Sequence, residues 1–182
     1  MLSEDERDLL QNVQEDPPPK TFPRSILIIL GLVLAGIMTS YIFLIPTVQD
    51  NLVGFLQSSV ILENTIERGE TTIHVSESVK EQVQSYYTSF PDVETALCLK
   101  GQHSNNTYNI TSVHRPEVYS SSFTHVSHAP CPNETVIMFH THPENSCRAS
   151  AQDRRTLQNA QQGTPHMAML IMCQPQRFNI IT

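Results

Sequence analysis

No block of clustered Lys and Arg occurs in this chain of 182 residues, whose net charge is −7. Phosphate binding needs such clustering, so nucleic acid is excluded as the main partner. Arg154-Arg155 is the only adjacent basic pair, and a solvated helix face accounts for it. CxxC is absent, which disfavours a zinc site built from cysteines. HExxH is absent too, removing the commonest zinc-protease helix. The P-C-x-x-C half of the zinc deaminase signature is missing, and a lone PCP at Pro130 to Pro132 does not supply it. No internal repeat is visible. The hydrophobic share of 39% against 16% charged is not that of a disordered chain.

One long apolar run is present. Residues 25–45, SILIILGLVLAGIMTSYIFLI, carry no charge, and a helix of that length spans roughly 31 Å, close to a bilayer core of ~30 Å. Pro23 precedes the run and Pro46 ends it. A core helix of this length would show a polar stripe, and a signal peptide would be shorter with a small-residue cleavage site. The expectation is a retained single-pass transmembrane helix with the lipid bilayer as partner. Lys20, Arg24 and Arg7 lie before it, whereas residues 46–67 hold no Lys or Arg, which predicts the N-terminus in the cytoplasm and the main domain outside. Three N-x-[ST] sequons, at Asn105, Asn109 and Asn133, are compatible with that orientation.

Residues 1–24 are acidic, carry Pro17 to Pro19, and read as an extended tail. Residues 46–70 place Val48, Leu52, Phe55, Leu56, Val60 and Ile66 near a helical stripe, which fits a juxtamembrane helix or linker, either a spacer or a surface for a homodimer. Residues 71–182 read as a compact α/β domain. TTIHV is a strand, Ser78-x-x-Glu81 opens a helix that runs to Ser89, and Val93 to Leu99 is a strand ended by Lys100-Gly101. Residues 102–107 form a turn, and strands follow at 108–113 and around 123–126. Thr135 to Phe139 is a continuous apolar run, typical of a strand buried on both faces. A helix from Ser150 to Gln162, stopped by Gly163, and strands at 167–172 and 178–181 complete a sheet flanked by helices. Cys98 and Cys173 lie in apolar runs and are expected as buried small hydrophobes. Cys131 and Cys147 lie in polar segments flanking a histidine pair, and a disulfide between them is open to an oxidising compartment.

That pair is the most informative feature. His140 and His142 fall at the end of the buried strand, where residues i and i+2 point to one side and both imidazoles can meet one ion. Pro143 then forces a loop. Ser150 and Asp153 are i, i+3 at the start of the next helix and share a face. Two His and one carboxylate leave a fourth position for water, the ligand set of a catalytic zinc site. A plainer reading makes Ser150 and Asp153 a helix cap. Glu94 sits in an apolar strand, where a charge needs a reason: a catalytic role, or a salt bridge to Lys100 or Arg115.

His140-Thr-His142-Pro143, the seven residues from Pro143 to Ala149, then Ser150-Ala-Gln-Asp153 resemble the H-x-H-x(7)-S-x-x-D signature of the JAMM metalloproteases of the JAB/MPN family. Glu94 in VETALCLKG stands where that family has its upstream glutamate. The resemblance covers about residues 72–182. It implies a cytidine-deaminase-like α/β fold with a mixed sheet, and one Zn²⁺ held by His140, His142 and Asp153. Glu94 would be the general base, and Ser150 would hydrogen-bond the tetrahedral oxyanion or the attacking water. The implied substrates are protein or peptide, with isopeptide bonds of ubiquitin-like proteins included. A non-catalytic MPN-type scaffold tethered to the membrane is the alternative, although scaffold members usually lose these ligands. The loop acid Glu144 is a further candidate for substrate contact, and the chain has no room for long substrate-gripping insertions. Ubiquitin-like substrates are cytosolic while the flanking charges put the domain outside. Either the charge rule fails here or the substrate is a secreted, envelope or peptide one.

Overall fold

A computed structural model describes residues 23–143 and 145–182. The acidic tail therefore lies outside the described residues apart from Pro23 and Arg24, as does Glu144. The chain divides into two units that part between Ile42 and Phe43.

The first helix, α1 (Arg24–Leu44), matches the expected span to within one residue. Its large apolar side chains are exposed, from 49% at Ile26 to 74% at Leu44, the reverse of a core helix. It is long and apolar enough to cross a membrane.

The second unit is an α/β domain. Its elements are α2 (Pro46–Leu56), β1 (Ser59–Val60), β2 (Thr65–Arg68), β3 (Thr71–Val75), α3 (Glu77–Ser89), β4 (Ala96–Ser104) and β5 (Thr107–His114). They are followed by β6 (Val118–Ser122), β7 (His125–His128), β8 (Thr135–Thr141), α4 (Ala151–Gln161), β9 (Ala168–Gln174) and β10 (Arg177–Ile181). Eight strands form one mixed sheet in the order β1-β10-β9-β8-β4-β5-β3-β2. Its ends nearly meet: Ser59 of β1 donates a hydrogen bond to the carbonyl of Glu67 in β2, and Leu62 bridges Thr65 between them. The sheet is thus almost closed into a barrel rather than open. Residues 46–70 supply both of those outer strands as well as α2.

β8 lies in the middle, antiparallel to β4 and parallel to β9. Alternation along it sets the site. Ile137 and Phe139 enter the larger core with Val79 and Val83 of α3, Leu97, Leu99, Leu170 and Met172. Met138 points the other way, into a smaller cluster with Leu157 of α4, Met169 and Ile171. His140 shares the parity of Met138 and so faces α4.

Several local expectations shift. The helix after β3 is capped by Ser76, whose side chain accepts the Val79 N–H, and not by Ser78. β4 starts at Ala96, so Glu94 precedes the strand, and it continues to Ser104 across a register shift at Lys100/Gly101. The expected turn shrinks to Asn105-Asn106, both at positive φ (49° and 61°), as a two-residue hairpin between right-twisted strands requires. The strand expected near residues 123–126 is a separate hairpin, β6–β7. The cysteines pair as Cys98–Cys131 and Cys147–Cys173, not as Cys131–Cys147, and the two cysteines in apolar runs are bridged rather than free. Cα separations of 5.7 and 5.1 Å suit both bridges.

Candidate metal centre

Pairing carries His140 and His142 to the α4 side of the sheet. His140 lies opposite Ala96 and beside Ile171, and the His142 N–H donates to the Met172 carbonyl at 2.9 Å, prolonging the β8–β9 ladder by one residue. Both imidazoles are buried. Their Nε2 atoms stand 3.1 Å apart. Asp153, on the first turn of α4, places Oδ1 3.3 Å from His140 Nε2 and Oδ2 3.7 Å from His142 Nε2. A tetrahedral ion with bonds of ~2.0–2.1 Å sets neighbouring ligand atoms roughly 3.3–3.4 Å apart. The His140-His142-Asp153 cluster therefore has the spacing to hold a zinc-sized ion.

The tautomer of His142 is fixed by the loop that follows. Its Nδ1 lies 2.7 Å from the carbonyl oxygen of Ser146. A carbonyl only accepts, so Nδ1 carries the hydrogen and Nε2 presents its lone pair to the cluster. Burial, and after it the positive charge of His140, pushes the His142 pKa down to about 4, so this ring is neutral at pH 7, as a ligand must be. For Asp153, burial acts upward on the carboxyl. The hydrogen bond and charge of His140, with the hydrogen bonds from Ser150, outweigh it and hold the group well below the usual carboxylate range.

Ser150 and Asp153 also form a capping box: the Ser150 hydroxyl accepts the Asp153 N–H at 3.0 Å, and Asp153 Oδ2 accepts the Ser150 N–H at 2.7 Å. The cap and the cluster use the same side chain. Ser150 is exposed, and its O–H hydrogen is not consumed by the cap.

Glu94 is buried at the foot of β4, with Oε1 3.6 Å from His142 Nε2. Its backbone is tied to the β6–β7 hairpin: its N–H donates to Ser122, and its carbonyl accepts from the Ser121 hydroxyl. Of the salt-bridge partners considered for Glu94, Lys100 pairs with Glu134 at 2.9 Å, and Arg115 lies over the rings of Tyr86 and Phe90.

These residues open onto a groove of about 840 Å³. Hairpin β6–β7 forms one wall through Thr124, His125 and His128, and Gln152 of α4 meets His125 at 3.1 Å. His125 and His128 of β7 are half-buried and line the groove. Helix α2 supplies Asp50, which is ion-paired with Arg148. Gly54 of α2 packs on the backbone of Cys147 and Arg148 so tightly that a Cβ would come within 2.6 Å of the Arg148 nitrogen. The loop between the histidines and α4 is further held by the Cys147–Cys173 bridge and by Asn179, whose Nδ2 donates to the Cys147 carbonyl at 2.6 Å. Sequence reasoning missed Ser146 because its contribution is a backbone carbonyl, and Asp50 because its partner lies 98 residues away.

No family model matches this chain, and no curated protein matches it.

Proposed function

We propose that the chain is a membrane-anchored, JAMM-type zinc metallopeptidase that hydrolyses peptide or isopeptide bonds outside the cytoplasm. The carrying observation is the convergence of His140, His142 and Asp153 at zinc-ligand spacing with the Glu94 carboxylate 3.6 Å from one of the ligand nitrogens. The donor set fits zinc: two imidazoles, that of His142 neutral at pH 7, and a carboxylate, with a fourth position facing the groove.

A zinc ion held there would polarise the scissile carbonyl and bring a water's pKa to near neutrality. Glu94 Oε1 takes the proton from the attacking water and passes it to the leaving amine. The Ser150 hydroxyl, oriented by the capping bond from Asp153, donates to the oxygen that becomes negative in the tetrahedral state. The Ser146 carbonyl keeps His142 in the tautomer this arrangement needs. Hairpin β6–β7 and α2 shape the groove that aligns an extended substrate.

Two disulfides in one domain suit an oxidising compartment, and Asn105, Asn109 and Asn133 are all exposed. Together with the basic residues preceding α1, they support an external domain. A peptide bond in an extracytoplasmic protein fits that location better than a cytosolic ubiquitin-like modifier.

The test is zinc content by mass spectrometry and hydrolysis of mixed peptide libraries and isopeptide-linked probes by the full chain in micelles. One zinc per chain is expected, with turnover that Glu94→Gln reduces by about 10²- to 10⁴-fold at unchanged zinc content. Absence of stoichiometric zinc, or turnover indifferent to that change, rejects the reading.

A further inference from the structure

A second cavity of about 440 Å³ adjoins the metal groove. The two share Ala149 and Arg154, at the start of α4 and next to the ligand Asp153. Arg68 reaches it from β2, beside Gln57, Thr71 and Asn179, and no Asp or Glu is among its described lining residues.

The two guanidinium groups are fixed without being neutralised by their anchors. Arg68 donates to Asn179 Oδ1 and to the Ile180 carbonyl, and Arg154 donates to the Ala149 carbonyl at 3.1 Å. These partners are uncharged oxygens. Burial first, and then the positive charge of Arg154, lowers the pKa of Arg68, so the two cations feel each other. Like charges held in one recess are unfavourable unless an anion lies between them. The distribution is pointed. Of the chain's 11 Lys and Arg, four line these two cavities: Arg68, Arg148, Arg154 and Arg155. Arg148 is matched by Asp50. All four are arginines, whose planar fork grips a carboxylate through two parallel bonds.

We propose that the recess between Arg68 and Arg154 is a carboxylate-binding subsite that selects acidic substrates for the neighbouring metal groove. The inference rests on the peptidase reading for its purpose, but not for its binding chemistry. The carboxylate is either an Asp or Glu side chain near the cleaved bond or the substrate's own C-terminus.

The test has two arms on the full chain in detergent micelles. In the first, metal is removed with chelator so that carboxylates cannot bind through an ion. Saturation-transfer NMR then follows acetyl-Gly-Gly-Glu-amide, acetyl-Gly-Gly-Gly with a free C-terminus, and acetyl-Gly-Gly-Gln-amide. At least one acid probe binds, the neutral amide does not, and Arg154→Gln weakens binding at least tenfold, as loss of a charge-assisted bond should. Whichever acid probe binds names the source of the carboxylate. Equal binding of the neutral amide, or binding unchanged in both Arg154→Gln and Arg68→Gln, overturns the subsite. Arg68 is tied into β10, so if Arg68→Gln lowers the Tm, the exposed Arg154 decides. Thr182 also lines the recess. If acid probes bind only to a chain extended by Gly-Gly-Ser, the chain's own terminus fills the recess and the proposal fails. In the second arm, zinc-loaded protein cleaves peptide libraries with free or amidated ends. Cleavage favours acidic sequences or free ends, and Arg154→Gln lowers kcat/KM at least tenfold through KM. Cleavage with no acid preference overturns the subsite and leaves the peptidase standing. Acid binding without any cleavage supports the subsite and refutes the peptidase alone.

Discussion

Asp153 receives the backbone N–H of Ser150 on Oδ2 at 2.7 Å while its other oxygen stands 3.3 Å from His140. Capping and ligation are therefore not competing explanations of the Ser150-x-x-Asp153 pattern. The cap aims the carboxylate, because satisfying the helix end fixes the rotamer that presents Oδ1 to His140.

Asp153→Asn and Asp153→Ala should separate the two roles. Asparagine keeps an acceptor for the Ser150 N–H, so the Tm should stay within a few degrees while zinc retention against a chelator falls at least tenfold. Alanine should lose zinc retention equally and cost about 1 kcal/mol more in stability through the lost cap. Thermal melts with chelator competition check both.

Gly54→Ala tests the seat of α2 on the site loop. Alanine should favour the helix by about 1 kcal/mol. Its Cβ, however, would lie 2.6 Å from the Arg148 nitrogen and 2.9 Å from the Cys147 carbonyl carbon, both backbone atoms. Overpacking of that kind costs roughly 1–3 kcal/mol. The expected outcome is a lower Tm with reduced kcat/KM at full zinc content.

Metal-free protein should lose stability as pH falls from 6.5 to about 4. His142 titrates near 6.5 when unfolded and at about 4 when folded, so in that window the unfolded chain binds more protons. The loss is on the order of 3 kcal/mol across the window. Asp153, held below its ordinary value, adds a further loss below 3.8. Urea melts of chelator-treated protein at pH 7, 5.5 and 4.5 measure it, and a flat profile would contradict the assigned burial of His142.

Replacing Cys147 and Cys173 together by Ser opens a closure of 26 residues, worth about 3–4 kcal/mol in chain entropy. Zinc retention should fall with it, since Cys147 follows the residue whose carbonyl orients His142. Replacing Cys98 and Cys131, 33 residues apart, should lower the Tm similarly while leaving zinc retention nearly intact. Melts and chelator competition on both double variants distinguish the bridges.

The cluster was legible because its spacing maps directly onto local geometry: i, i+2 on a strand end, and i, i+3 on a helix turn. The central strand was legible because four apolar residues in a row, Val136 to Phe139, leave no polar face to expose. The sequence put Glu94 within a strand, whereas it precedes β4, close enough to place Oε1 3.6 Å from His142 Nε2. Disulfide pairing was not legible, since apolar surroundings describe a buried thiol and a buried bridge equally well. Nor was the β6–β7 wall, where Val118 to Ser122 is exposed throughout and carries no alternation to read. The short strands β1 and β2 were hidden in residues 46–70, whose apolar positions also fit a helix.

Those two short strands have a practical consequence for anyone trimming the protein. A fragment cut at residue 71 would strip the partner from β10 on one side and from β3 on the other. Two rows of unsatisfied amides would be exposed in place of a nearly sealed wall, inviting chain-to-chain stacking. The stretch that follows α1 thus doubles as the lid on both margins of the sheet.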